Sequence, residues 1–304
     1  MNYKSILNLL GILLGIFSLS FIPPLILTYM YNESGGEVFL YSFLFFSIFG
    51  GAIWAATRQK DLPLNISDGF VVTTLFWVVL ACAGSVPFYF FGLSVSDAIF
   101  ESASGITTTG ATTIVGLDNL PKSILLYRQL LQWIGGMGLI VLAVAVMPAL
   151  GIGGGQLYKM ELPGSHGNQK LTPKITDSAK ALWKIYVGLT VACATLYVLS
   201  GMNVFDSIAH SLSTVAGGGF STHDGSIGFF DSALIEAVCI IFMLLSAASF
   251  AVHYAAIFGG KPLKYFYDSE FRFFLSVVLV IISISLIVHI ISNSYADIFS
   301  AFGA

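Results

Sequence analysis

Charge is what this sequence has least of. Only 10% of its 304 residues are Asp, Glu, Lys or Arg, against 56% hydrophobic, whereas an ordinary soluble domain carries about 25% charged residues. That balance excludes a soluble globular enzyme. The formal charge of -3 leaves no basic domain, so nucleic acid is not expected as a partner. Cysteine is sparse as well: Cys82, Cys193 and Cys239 each sit in an apolar run with no CxxC and no Cys/His cluster, which excludes a disulfide framework and a cysteine metal site. There is no HExxH motif and no nucleophile and base pair at membrane depth, so an intramembrane enzyme is disfavoured and no cofactor is expected. The first apolar run lacks a small-residue cleavage site and reads as a retained span, not a signal peptide.

What the chain does have is apolar length. Runs at residues 5–31, 38–56, 70–91, 124–147, 182–200, 234–258 and 271–291 are each long enough to cross a hydrocarbon core, which predicts seven spans of an all-α polytopic membrane protein set in lipid. Pro23 and Pro24 should kink the first. With the N-terminus in the cytoplasm, the inside segments collect Lys4, Arg58, Lys60, Lys159, Lys170, Lys174, Lys180, Lys184, Lys261, Lys264 and Arg272. Only Lys122 and Arg128 of the 13 basic residues then lie outside or near it, as the positive-inside rule requires, and the opposite orientation would invert the bias. The inside segment 151–181 mixes Gly, Pro and Lys and suits a linker or a docking surface. Lys170, Lys174 and Lys180 in it fit either a docked partner or an ordinary positive flank.

Two outside connections agree when one is laid over the other, Asp97 on Asp206, an offset of 109 residues. Residues 97–113 (Asp-Ala-Ile-Phe-Glu-Ser-Ala-Ser-Gly-Ile-Thr-Thr-Thr-Gly-Ala-Thr-Thr) then meet residues 206–222 (Asp-Ser-Ile-Ala-His-Ser-Leu-Ser-Thr-Val-Ala-Gly-Gly-Gly-Phe-Ser-Thr). Ile99 falls on Ile208, Ser102 and Ser104 on Ser211 and Ser213, Gly110 on Gly219, and Thr113 on Thr222. Each copy lies between an outward and an inward span, so the repeat is parallel, with an axis along the membrane normal. That disfavours an inverted-repeat carrier. The stretch 97–106, as a helix, measures roughly 15 Å, half the hydrocarbon thickness. It enters the membrane without crossing it, with an acidic residue at the positive end of its dipole and carbonyls at the end that attracts cations.

Each half-helix runs into small residues, Thr107 to Gly110 and Ala216 to Gly219. Irregular backbone at that depth survives only inside protein or beside a water-filled cavity. A ring of such loops can replace the hydration shell of an ion with backbone carbonyls, glycine supplying the positive φ angles; the alternative is a re-entrant packing loop. Several polar residues carry two readings also. Arg128, one turn into the fourth span beside Gln129 and Gln132, either bonds a filter carbonyl or carboxylate or snorkels outward. Glu101 and its repeat mate His210 either brace the loops from behind or face a water pocket. His223 and Asp224, with Asp118 and Asp231, form an electronegative vestibule or plain solvated loop charge. Gly135, Gly136 and Gly138, like Gly11 and Gly15, suit close helix packing, and His253 and Tyr254 suit an interface belt.

On residues 105–112 (Gly-Ile-Thr-Thr-Thr-Gly-Ala-Thr), 127–138 (Tyr-Arg-Gln-Leu-Leu-Gln-Trp-Ile-Gly-Gly-Met-Gly), 153–158 (Gly-Gly-Gly-Gln-Leu-Tyr) and 217–224 (Gly-Gly-Gly-Phe-Ser-Thr-His-Asp), the chain resembles the Trk/Ktr superfamily of potassium transporters, and within it the pore subunits of Trk uptake systems. The resemblance implies two N-terminal helices over residues 1–62, a first span/pore-helix/span repeat over 63–150, a cytoplasmic loop over 151–181, a second repeat over 182–260 and the start of a third over 261–304, all arranged around a pore. It implies potassium bound at filter residues Thr108, Thr109 and Gly110 of one loop and Gly217, Gly218 and Gly219 of the other. It further implies a homodimer, a cytosolic TrkA-like nucleotide-binding regulatory ring and the bacterial inner membrane as location. The family pattern has four repeats, and residues 297–304 fall where a third pore helix begins. The expectation is therefore a truncated member of the family, either the first part of a potassium uptake protein or a non-conducting assembly subunit.

Overall fold

The computed structural model describes residues 2–58, 66–146, 175–260 and 263–291, and every regular element in them is a helix. Residues 1–247 and 248–304 form two compact units. In the first, α1 (Tyr3–Ser18) starts under the side chain of Asn2, which accepts the Ser5 N–H. It passes through one 3-10 turn, Leu19–Phe21, into α2 (Ile22–Tyr31). Pro23 and Pro24 sit in the first turn of α2, where a missing N–H costs no helical bond, and the helix tightens just before them. The bend expected from the prolines is this turn.

α3 (Gly36–Thr57) returns against α1, and glycine sets how close the two run. A Cβ on Gly11 would lie 2.8 Å from the Gly50 carbonyl oxygen, and one on Gly50 would lie 2.8 Å from the Gly15 nitrogen. In lipid, where burial of apolar surface does not drive helices together, such backbone approach is the source of packing energy. α4 (Ile66–Phe90) and α6 (Lys122–Val146) enclose α5 (Val95–Ile106), and α7 (Ile175–Leu199) and α9 (Ala233–Ala247) flank α8 (Val204–Ala216). The 3-10 turn, α3 and α4 meet α6 around the buried ring of Tyr127, which stacks on Phe21, meets Phe39 edge-on and Phe88 at a tilt at 5.3–5.6 Å, and donates its hydroxyl to the Gly84 carbonyl at 2.9 Å.

Among the described residues five helices are long and apolar enough to cross a membrane: Tyr3–Tyr31, Gly36–Thr57, Ser67–Phe90, Ala181–Leu199 and Ser269–Val288. The fourth expected span is the single helix α6, less apolar because Arg128, Gln129 and Gln132 lie within it. The sixth expected span, 234–258, is not one helix. α9 stops at Ala247, and a separate helix, α10 (Phe250–Ile257), begins after Ser249, whose backbone is extended. Ser246 bonds back to the Met243 carbonyl at 2.8 Å, the kind of side-chain competition that weakens a helix from within. In the second unit, α10 is followed by α11 (Lys264–Tyr267) and α12 (Ser269–Ile291), and His253 bonds the Tyr265 hydroxyl at 2.6 Å. None of the apolar window of α12 is buried. Most of the expected loop 151–181, with Lys159, Lys170, Lys174 and the 153–158 motif, lies outside the described residues, as do Lys60, Lys261 and residues 297–304.

The α1–α3 crossing predicts a contrast between neighbours. Gly50→Val forces a side chain into backbone and should cost about 1–3 kcal/mol, whereas Gly51, with nothing within 4 Å of its Cβ position, should accept valine unchanged. Thermal melting of the purified variants in one detergent reads the difference; equal melting temperatures would contradict the crossing.

Candidate functional site: two half-helices and their loops

α5 and α8 are built alike. Ser94 and Asn203, equivalent under the repeat, cap them: the Ser94 hydroxyl accepts the Asp97 N–H at 3.2 Å and the Asn203 side-chain oxygen accepts the Asp206 N–H at 2.9 Å. The acidic residue of each first turn complements the dipole. With 12 and 13 residues, each is on the order of 20 Å long, too short to cross the hydrocarbon core. Both end the same way: the Thr109 N–H bonds the Ser104 carbonyl at 2.9 Å and the Gly218 N–H bonds the Ser213 carbonyl at 3.0 Å.

Beyond those bonds the backbone alternates identically in both copies. Thr108 and Gly217 have φ of 55° and 67°, and Gly110 and Gly219 have φ of 76° and 80°. Three of these four positions are glycine. Thr108 adopts the left-handed region with a β-branched side chain, a cost on the order of 1–2 kcal/mol that the flanking helix-end bonds must hold in place. All six sequence-predicted filter residues, Thr108, Thr109, Gly110, Gly217, Gly218 and Gly219, therefore fall in two loops of matching form. The loops touch: a Cβ built on Gly110 would overlap the Gly218 carbonyl oxygen.

One face of α6 runs between the two copies and meets both at three levels. At the outer level stands Arg128, wholly buried. Its Nε donates to Glu101 at 2.7 Å, its Nη2 to the Thr112 hydroxyl at 3.1 Å and its Nη1 to the Ser221 carbonyl at 3.0 Å, while Cζ sits 4.3 Å above the Phe220 ring. At the next level the side-chain oxygen of Gln132 accepts the Ser213 hydroxyl at 2.7 Å and the Phe220 N–H at 3.0 Å. At the third, a Cβ on Gly135 would overlap the Ile106 carbonyl and one on Gly136 would lie 3.2 Å from the Ala216 Cα, so both half-helix ends rest against glycine.

Of the two readings of Arg128, the geometry selects bonding to a carboxylate and a loop-arm carbonyl, and snorkelling is excluded by its burial. The bracing role of Glu101 and His210 is also what is found. Glu101 accepts the Thr112 hydroxyl at 2.9 Å and the Thr113 N–H at 3.2 Å as well as Arg128. His210 faces the Asp206 carbonyl through Nδ1 and the Ser221 hydroxyl through Nε2, each at 2.9 Å. A carbonyl only accepts, so in the neutral ring Nδ1 carries the proton and Nε2 accepts from Ser221. The partners Thr112 and Ser221 are themselves repeat mates.

Further out, three of the four residues with a vestibule or loop-charge reading, Asp118, His223 and Asp224, are hydrogen-bonded across the two arms. Asp224 accepts the Gly116 and Leu117 N–H groups at 3.1–3.2 Å. His223 bonds Asp118 on one side and Asp206, at 3.1 Å, on the other, and its ring stacks on Phe229. The hydrogen bond from His223 holds the Asp118 carboxyl below its ordinary value. Asp231 lies outside this cluster, at the end of the 3-10 turn Ser226–Phe230. The Asp118–His223–Asp206 chain joins the arm after one loop to the arm after the other. Ser94, Asn203, Thr112 and Ser221 extend the repeat and were open to discovery from the offset; Gln132 stood out only as a polar neighbour of Arg128 within the 127–138 motif.

The buried ion pair carries a prediction. Arg128→Met strands the Glu101 carboxylate and should cost about 3–5 kcal/mol, while the double variant Arg128→Met with Glu101→Gln should lose less than the single. Melting curves of the parent, Arg128→Met, Glu101→Gln and the double variant decide it; a double variant as unstable as the summed singles would mean the two side chains act independently.

Comparison with known proteins agrees with this architecture. The family profile described as "TrkH: Cation transport protein" matches residues 35–301. The "Trk system potassium uptake protein TrkH" of Vibrio parahaemolyticus is 46% identical over 99% of the chain and 63% of its own length, and that of Escherichia coli K12 is 44% identical over 98% of the chain and 62% of its own. The crystal structure of the potassium transporter TrkH from Vibrio parahaemolyticus superposes with a TM-score of 0.86 at 44% identity, covering 100% of the chain and 62% of that structure. The chain thus spans just over three-fifths of the length of these relatives, which are transporters and not enzymes. With helices long enough to span a membrane and a family profile matched over most of its length, the chain is a multi-pass membrane protein that belongs to the TrkH cation transport protein family.

Proposed function

We propose that the protein takes up potassium across the bacterial inner membrane, as part of a Trk-type system, through a filter of backbone carbonyls to which Thr108, Thr109, Gly110, Gly217, Gly218 and Gly219 contribute. The observation that carries this reading is the repetition of one unusual backbone, left-handed at the same two positions of two loops, each at the end of a half-length helix. Left-handed residues alternating with others turn successive carbonyls toward one side, where they can stand in for the water around a cation. The C-terminal ends of both half-helices add partial negative charge at the same depth. Potassium is then cargo, and the site calls for no resident cofactor.

Family membership and the charge pattern support the remaining features. The N-terminus is cytoplasmic, the basic residues lie inside, and the span/pore-helix/span units correspond to residues 63–150 and 182–260, after two helices over 1–62 and before a further unit opening at 261–304. The partners are a second copy of the protein and a TrkA-like nucleotide-binding ring that docks on the cytoplasmic side, where the loop 151–181 supplies basic residues. The Vibrio and Escherichia relatives are potassium uptake proteins.

Gly110→Val and Gly219→Val, made in the protein as its gene encodes it, should each abolish rubidium uptake in cells lacking other potassium transport, with membrane levels unchanged. Uptake at the parental rate would sink the filter assignment. A parental protein that gives no uptake alone yet co-purifies with a full-length relative would point instead to a non-conducting assembly subunit.

A further inference from the structure

The three-level face of α6 contains one side chain whose bonding is half finished. Gln132 is wholly buried. Its Oε1 is taken twice, by the Ser213 hydroxyl at the end of α8 and by the Phe220 N–H just beyond the second loop. The Phe220 N–H can only donate, so it fixes which end of the amide is which and turns the NH₂ group the other way. That nitrogen is buried and has no hydrogen-bond partner among the described residues. It lies 3.7 Å from the position a Cβ on Gly110 would occupy, and a Cβ on Gly218 would overlap the whole amide. The amide therefore fills the seam where Gly110 of one loop meets the Gly218 carbonyl of the other, with an acceptor committed to the second loop and two N–H donors unspent beside the first.

We infer that Gln132 is a positioning residue for ion selection: by gripping the second loop through its oxygen and presenting its NH₂ at the seam, it sets the separation of the two loops and with it the size of cation the carbonyls coordinate. The inference rests on the filter reading proposed for the two loops. Glycine at 218 makes room for the amide, which a side chain there would expel, and glycine at 110 makes room for the Gly218 carbonyl, so that a side chain there would push the loops apart. Arg128, one turn earlier on the same face, ties together the arms beyond the loops, so Gln132 acts on the loops themselves and Arg128 on their returning arms. A buried donor pair left unpaired is costly, and such a group in a folded protein calls for an explanation.

The test is sodium competition. Gln132→Met keeps volume and removes both bonds. In the protein as its gene encodes it, this variant should let sodium inhibit rubidium uptake at a concentration at least tenfold lower than in the parent, with a lower melting temperature for the purified protein because the buried Phe220 N–H loses its acceptor. Gln132→Glu keeps an oxygen for Ser213 and Phe220 but loses the donors, so it should retain part of the shift. Ser213→Ala should shift sodium inhibition in the same direction by less and add little on top of Gln132→Met. Unchanged sodium inhibition in Gln132→Met overturns the inference. Where Gln132→Met does not accumulate, Gln132→Glu decides, and parental sodium inhibition in that variant overturns it equally. The glycine variants separate the two failures: if Gly110→Val and Gly219→Val abolish uptake while the Gln132 variants discriminate sodium as the parent does, only the positioning role falls. If the glycine variants transport normally, the filter falls and the role of Gln132 with it.

Discussion

A guanidinium with no exposed surface, in a protein that is 56% hydrophobic, must be paired or it unfolds what surrounds it. Arg128 meets that demand with one carboxylate, one hydroxyl, one carbonyl and one aromatic face, drawn from residues 101, 112, 221 and 220. Those partners belong to one half-helix, α5, and to the two loop arms, and the two copies they come from are more than a hundred residues apart in the chain. The electrostatic requirement of one side chain thus becomes a mechanical tie between the copies of the repeat. If either arm drifts, a buried charge loses a partner, so the two arms are held in place together.

The copies share a backbone but not a chemistry. Where the first half-helix carries Glu101, the second carries His210, and both reach the same position of the returning arm, Thr112 in one and Ser221 in the other. The first solution is ionic and needs Arg128; the second is neutral, with the imidazole spanning the Asp206 carbonyl and a hydroxyl. The loops differ likewise. Thr108 occupies with strain the conformation that Gly217 adopts freely, and in exchange its neighbour Thr107 gains hydroxyl bonds at 2.7 Å to the Ala103 carbonyl and Thr109. A duplicated fold needs only the φ/ψ pattern and the hydrogen-bond positions to agree, so each copy is free to reach them with different side chains.

This explains what could be foreseen. The apolar runs announced the long helices because lipid leaves little choice of element, and the repeat offset announced both half-helices because backbone geometry depends on small residues at fixed places. The break at Ala248–Ser249 was hidden, since serine and alanine inside an apolar run resemble any helix until the Ser246 side chain is seen turning back on its own backbone. Arg128 was ambiguous for a related reason: one turn inside a span is where an arginine can reach water, and only the position of Glu101, 27 residues earlier on a different helix, decides otherwise. The two readings of the acidic residues near the outer surface stayed open in the sequence because it does not show that His223 and the N–H groups of residues 116 and 117 lie within reach of the carboxylates. Composition reports how much charge a region has, but not which groups it is bonded to.

Glycine on α6 makes the tie possible. Hydrogen bonds fix the arms at the level of Arg128 and the second loop at the level of Gln132, but neither sets how deep the half-helices descend. That is set where the Ile106 carbonyl meets Gly135 and Ala216 meets Gly136, at contacts so close that any side chain would separate them. The same device joins α1 to α3 at Gly11 and Gly50, where its effect is only to hold two helices together. At α6 it has a second effect. A half-helix exposes unpaired carbonyls at its C-terminal end, and their negative field falls off within about one turn, so the level at which α6 seats those ends is the level at which the field acts. The close packing of α6 and the field at the two loops are therefore one geometric fact, and the glycines that secure the first place the second.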